Sequence, residues 1–113
     1  MRKEIKVYLE DILESIQKIK EYTAGVDFAE FDDNTQHQDA VIRRLEIIGE
    51  AVKGLPSELK AKYPDIPWKQ IAGMRDILIH EYAGVSLKRV WKVVTDDLGP
   101  LKKVASKAFK GIK

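Results

Sequence analysis

The 113-residue chain has no cysteine, which excludes a disulfide framework and any thiolate-bound metal. Histidine is nearly as scarce. His37 and His80 are the two present, fewer than the three or four ligands of a zinc centre. A glycine-rich phosphate loop is missing, and so is any Ser-His-Asp arrangement suited to acyl transfer. No apolar run approaches the roughly 20 residues that span a bilayer. The opening residues, Met1-Arg2-Lys3-Glu4-Ile5-Lys6, lack the apolar stretch of a signal peptide. The expectation is a soluble cytoplasmic protein that works without metal or cofactor. A strong excess of one charge is also lacking: the net +2 neither demands nor excludes a nucleic-acid partner.

The charge that is there is spread unevenly. Asp27, Glu30, Asp32 and Asp33 make one acidic stretch, and Lys102, Lys103, Lys107, Lys110 and Lys113 make a basic end. That end reads as a solvated helix face or as a contact for an RNA backbone. Charged residues form 34% of the chain, with Lys, Glu and Ile plentiful, which leans towards a thermophile.

Apolar residues recur at three- and four-residue steps. Ile5, Tyr8, Leu9, Ile12, Ile16, Ile19 and Tyr22 predict a helix over 3–23, closed by Gly25. Residues 25–36 read as a polar connection, with Phe28 and Phe31 tacking it to the core. A second helix is expected over 36–54, with Thr35 and Gln38 offering a capping box. Its stripe of Val41, Leu45, Ile48, Val52 and Leu55 is widened by Ile42, Ile47 and Ala51. So broad a face suits a central helix or one that also meets a second subunit. Gly49, within that face, reads either as a point of close helix approach or as a tolerated mid-helix glycine.

A short helix is expected over 57–63, then a third long helix over 67–82 with Pro67 as its first residue. Ser86 should cap a fourth, with Val85 and Val90 as a staple, and Gly99-Pro100 should kink or break it. A last segment over 101–110 follows. There is no strand periodicity, hairpin signal or repeat. The chain as a whole, 1–113, reads as one all-α domain, an antiparallel four-helix bundle with an extra short helix, and the wide apolar faces point to a homodimer.

Within the third helix, residues 75–82 read Arg-Asp-Ile-Leu-Ile-His-Glu-Tyr. An arginine clamps phosphate with a fork of donors. A histidine moves protons near neutral pH, and a tyrosine hydroxyl donates a hydrogen bond or accepts a transferred group. At about 100° per residue, with Ile71 as zero, Leu78, Trp68 and Ile79 form an arc from about −20° to about 80°. Arg75 at about 40° and Tyr82 at about 20° lie inside that arc. An arginine there is costly unless it is paired or serves a site. His80, near 180°, lies opposite and close to Asp76 at about 140°, four residues back and within reach. Arg75 and His80 therefore do not converge on one ideal helix. Either the helix ends or distorts near Ile79, or the two residues meet across a dimer. Each residue also has a plainer reading: Arg75 paired with Glu46 or Glu50, His80 on the surface beside Asp76, Tyr82 as an aromatic anchor. His37 reads as a surface residue.

The pattern Arg75-x-x-x-x-His80-x-Tyr82 resembles the signature of the HepT-like members of the HEPN superfamily, small all-helical proteins. The stretches Asp39–Ala51, Tyr63–Asp76 and Val90–Leu98 are similar to that family's blocks on either side, so the resemblance covers nearly the whole chain. It implies a homodimer whose signature segments face each other in a cleft. It also implies a metal-independent ribonuclease, the toxin of a type VII-like toxin–antitoxin pair. Arg75 and His80 match the family's catalytic pair. Asp76 stands where the family has Asn or Asp, and would support His80. The implied partner is a minimal nucleotidyltransferase antitoxin that transfers AMP to Tyr82 and silences the toxin. The alternative is a non-catalytic module that binds a nucleotide or that partner.

Overall fold

A computed structural model describes residues 2–80 and 86–112, and for residues 2, 3, 77, 79 and 80 the backbone alone. Every regular element among these residues is helical: α1 (Arg2–Thr23), α2 (Phe28–Asp32), α3 (Thr35–Gly54), α4 (Ser57–Ala61), α5 (Trp68–His80), α6 (Leu87–Lys92), a π-helical turn (Val93–Asp97) and α7 (Leu98–Lys110). The all-α expectation holds.

The predicted stripes are the buried ones. Leu9, Ile12, Ile16 and Ile19 of α1 meet Val41, Leu45, Ile48 and Val52 of α3 in one core. Gly25, at φ 72°, ends α1 in the left-handed conformation that glycine adopts most easily. The segment after it is more ordered than a polar connection. Asp27 and Glu30 form a capping box, in which Glu30 N donates to Asp27 Oδ1 at 2.9 Å. The short helix that follows buries Phe31 completely, its ring 4.9 Å from that of Trp91. Phe31 thus tacks this segment to the core, as expected.

Two local expectations are corrected. The cap of α3 is Asn34, whose Oδ1 accepts from His37 N at 3.0 Å, one residue before the predicted Thr35. Gln38 does not close a capping box. Its side-chain nitrogen donates to the carbonyls of Phe31 and Asp32, both at 2.9 Å, and so ties α3 to α2. Nor does Gly99-Pro100 break a helix, since both residues lie in the first turn of α7. The distortion comes just before them, where Leu98 N donates to Val93 O across the wider π turn. A proline ring crowds the carbonyl four residues back, here that of Asp96, and a π turn ahead of it gives that carbonyl room.

Elsewhere the expected punctuation is found. Pro67 stands directly before α5, and its carbonyl accepts from Ile71 N at 3.0 Å. Ser86 caps α6 by accepting from Arg89 N at 3.4 Å; its predicted staple partner Val85 lies outside the described residues. α3 packs between α1 and α5, and α7 packs on α1. The α1–α7 pair runs antiparallel, with Lys6 near the start of α1 set 5.4 Å over the Phe109 ring near the end of α7. Lys102 of α7 lies beside Lys20 of α1 and lowers the Lys20 pKa, through a side-chain hydrogen bond and then through its like charge. Lys103, Lys107 and Lys110 are exposed, as a solvated face requires.

Candidate functional site

α5 places Arg75 on its buried stripe, with Ile71 and Leu78 buried before and after it. Gly49 of α3 makes that position tenable. A Cβ added at Gly49 would lie 2.7 Å from Arg75 Cβ and 3.1 Å from Ile71 O, so the glycine is a point of close approach. The arginine stem passes over α3 at this point and its head reaches the surface, an arrangement suited to a long amphipathic side chain. The side chain remains 32% exposed.

The guanidinium is held by two carboxylates. Nε donates to Glu50 Oε2 at 2.7 Å, and Nη1 donates to Asp76 Oδ1 at 3.0 Å. Glu50 is therefore the partner among the two α3 carboxylates foreseen, while Glu46 pairs with Arg43 at 3.5 Å. The same Asp76 oxygen lies 3.8 Å from Lys53 Nζ. Two cations and two anions thus form a chain across α3 and α5, and their formal charges cancel. Glu50 and Asp76 are 61% and 50% exposed. Pairs this open are worth only about 0.2–1 kcal/mol each, so a phosphate can take the place of Glu50 on the guanidinium at little cost.

The sequence alone puts Asp76 about 100° around the helix from Arg75 and beside His80. The long arginine side chain closes that gap, and Asp76 contacts Arg75 as a result. His80 is the last described residue of α5. Its side chain lies outside the description, so its contact with Asp76 is not seen, and Tyr82 lies outside the described residues. The backbone of α5 is helical through Ile79 to His80. On an ideal helix of this length the two positions lie about 140° apart.

On its other side Arg75 borders a cleft of about 250 Å³ that reaches Tyr8 and Asp11 of α1 and Arg43 and Ile47 of α3. Among the described residues, no group of three or more His, Cys, Asp or Glu is arranged to hold a metal ion. Two features of the neighbourhood escaped sequence reasoning. They are the Lys53 contact with Asp76 and the groove around Lys60, Trp68 and Lys69. These residues come together only because α4 and α5 fold back along α3, and no local spacing signals it.

Comparison with known proteins agrees with the resemblance in the sequence. A family model described as Ribonuclease HepT-like matches residues 12–108. A Thermococcus cleftensis protein named probable ribonuclease HepT is 48% identical over 102 residues, covering 90% of this chain and 93% of that protein. A Methanocaldococcus jannaschii protein named as a gamma-glutamylcyclotransferase and candidate RNase is 55% identical over 102 residues. The match covers 90% of this chain but spans about half, 46%, of that relative. Another protein of the same organism, named as a candidate RNase, is 43% identical over 98% of this chain and 92% of its own length. No solved structure gives a significant match.

Proposed function

Because the chain belongs to the HepT-like ribonuclease family, we propose that it cuts RNA, with Arg75 on the scissile phosphate and His80 moving the protons. The observation that carries this reading is the state of Arg75. It is a guanidinium on a buried helix stripe, admitted there by Gly49 and aimed at the surface. Its two carboxylate partners are exposed enough to yield to a phosphate.

The nucleophile in this mechanism is the RNA's own 2′-hydroxyl. Its oxygen bonds to the neighbouring phosphorus, and the bond from phosphorus to the 5′-oxygen of the next nucleotide breaks. The products are a 2′,3′-cyclic phosphate and a 5′-hydroxyl. His80 takes the proton from the 2′-hydroxyl or gives one to the leaving oxygen. Arg75 stabilises the charge that builds on the phosphoryl oxygens. Asp76 supports the site by holding Arg75 and, through the four-residue step, His80. Since Arg75 and His80 lie about 140° apart on one helix, a working site takes Arg75 from one copy and His80 from a second. The proposed assembly is a homodimer with both signature segments lining a shared groove.

Regulation by a minimal nucleotidyltransferase completes the reading, with this chain as the toxin of the pair. The Tyr82 phenol oxygen would attack the α-phosphate of ATP, pyrophosphate would leave, and the tyrosine would carry AMP. Added bulk and negative charge at the groove would then exclude RNA.

The test is RNA cleavage by the purified protein with a metal chelator present. Cleavage should persist, and the products should end in 2′,3′-cyclic phosphate. Loss of cleavage on chelation, or products ending in 5′-phosphate, would sink the mechanism. The second reading, a non-catalytic module, draws on one observation: Glu50 and Asp76 already offset the charge of Arg75. A protein that binds RNA or the nucleotidyltransferase yet cuts nothing would support it.

A further inference from the structure

A second concavity lies on the far side of Asp76 from the Arg75 fork. It is a groove of about 590 Å³ between α4 and α5, bounded by Lys53 at the end of α3, Lys60 on α4, and Trp68, Lys69 and Asp76 on α5. Three lysines and one carboxylate make it positive. Gly73 forms part of its floor, and a Cβ added there would meet nothing within 4 Å, so the groove is open at this point.

Asp76 joins the groove to the candidate site, because one carboxylate oxygen contacts both Lys53 at 3.8 Å and Arg75 at 3.0 Å. Lys53 and Asp76 are 47% and 50% exposed, so that pair holds the ammonium only weakly, and Lys53 can exchange the carboxylate for a phosphate. Lys60 Nζ donates to Val52 O at 3.4 Å and keeps further donors for a ligand. Trp68 is fixed by its own ring nitrogen, which donates to the carbonyls of Tyr63 at 2.9 Å and Lys60 at 3.0 Å. A rigid indole beside a row of lysines is the combination that single-stranded nucleic acid uses: phosphates on the cations, bases against the ring.

We propose that this groove is the track for single-stranded RNA flanking the phosphate held at Arg75. Lys53, Lys60 and Lys69 take neighbouring backbone phosphates and Trp68 receives a base. The inference rests on the nuclease reading for the position of the scissile phosphate, but its binding test needs no cleavage. The probe is a fluorescent 2′-O-methyl oligonucleotide of about twelve residues, enough for a typical single-strand site, with no 2′-hydroxyl to attack. In the full-length protein, Lys53→Gln with Lys69→Gln should weaken binding about tenfold. The slope of log affinity against log salt should fall by about 1.4, since each phosphate that a lysine neutralises on a single strand adds roughly 0.7 to it. Lys103→Gln, on exposed α7, should change neither. In a Trp91→Phe protein, Trp68 is the remaining indole, and its fluorescence should be quenched on binding.

With cleavable RNA, Lys69→Gln alone, which lies outside the Arg75–Asp76–Lys53 chain, should raise KM and leave kcat unchanged, while a dinucleotide too short for the groove should be cut as by the parent. Unchanged affinity and salt slope in the double variant would overturn the proposal. So would equal binding of polyglutamate, which would mark the groove as a site for an acidic protein segment. If the oligonucleotide binds as described but the parent protein cuts no RNA, the nuclease reading fails and the track stands.

Discussion

Arg75→Ala is expected to lower RNA cleavage by about a hundredfold or more, the usual cost of removing a group that stabilises transition-state charge. The fold should survive. Its ion pairs with Glu50 and Asp76 are half open to water, and such pairs add little to stability. Arg75→Lys separates charge from geometry. A lysine keeps the positive charge but loses the fork, so it should recover only a small part of the lost rate. His80→Ala should cost about 10²- to 10⁴-fold, the range for a lost proton-transfer group. A steady-state cleavage assay, normalised to folded protein by circular dichroism, reads all three. If Arg75→Ala lowers the melting temperature but cuts RNA at the parent rate per folded molecule, Arg75 is a structural residue.

The second large effect is at Gly49. In Gly49→Val the first side-chain carbon would come within 2.7 Å of Arg75 Cβ and 3.1 Å of a backbone oxygen, Ile71 O. The oxygen cannot rotate away, so α5 has to move. Overpacking of this kind costs about 1–3 kcal/mol, a fall of several degrees in Tm for a domain of this size. The movement should also cost activity, because Arg75 is the residue displaced and a shift of about 1 Å in a catalytic group costs up to roughly a hundredfold. Gly73→Ala is the contrast on the same helix. An added Cβ meets nothing there within 4 Å, so the alanine should gain about 0.5–1 kcal/mol of helix stability. Thermal denaturation of the two variants should therefore shift in opposite directions. A neutral Gly49→Val would mean that α3 and α5 are not packed as closely as described.

Much of this was legible in the sequence for a simple reason. Long amphipathic helices announce themselves by periodicity, so the stripes of α1 and α3 were read residue by residue. Caps were less legible because neighbouring residues compete for the role. Asn34 and Thr35 are both good caps, and only the backbone geometry decides between them. In the acidic stretch around Asp27 the tack at Phe31 was legible, but the one-turn helix that carries it was not, because five residues are too few to show a helical period. Gly99-Pro100 was read as a kink or break at its own position, whereas proline is tolerated in a helix's first turn and the irregularity falls one turn earlier, in the π turn.

At the site, the angular argument anticipated an arginine inside a buried arc and the need for a partner, and Glu50 was one of two carboxylates foreseen. It misjudged Asp76. Helical angles locate Cβ atoms, and the arginine side chain is long enough to cross the difference. The lysines beside Trp68 were invisible for a different reason. Lys53 and Lys69 are far apart in the chain and meet only through the α3–α5 packing.

The central claim is that one working site needs Arg75 and His80 from two copies of the chain. The most direct measurement mixes two inactive proteins, Arg75→Ala and His80→Ala, unfolds and refolds them together so that subunits exchange, and assays RNA cleavage. In a symmetric pair, random exchange makes half the dimers mixed, and each mixed dimer keeps one intact composite site of two, so activity should return to about a quarter of the parent's. If the mixture stays as inactive as either variant alone while mixed dimers are shown to form, the site does not span two copies and the account is wrong.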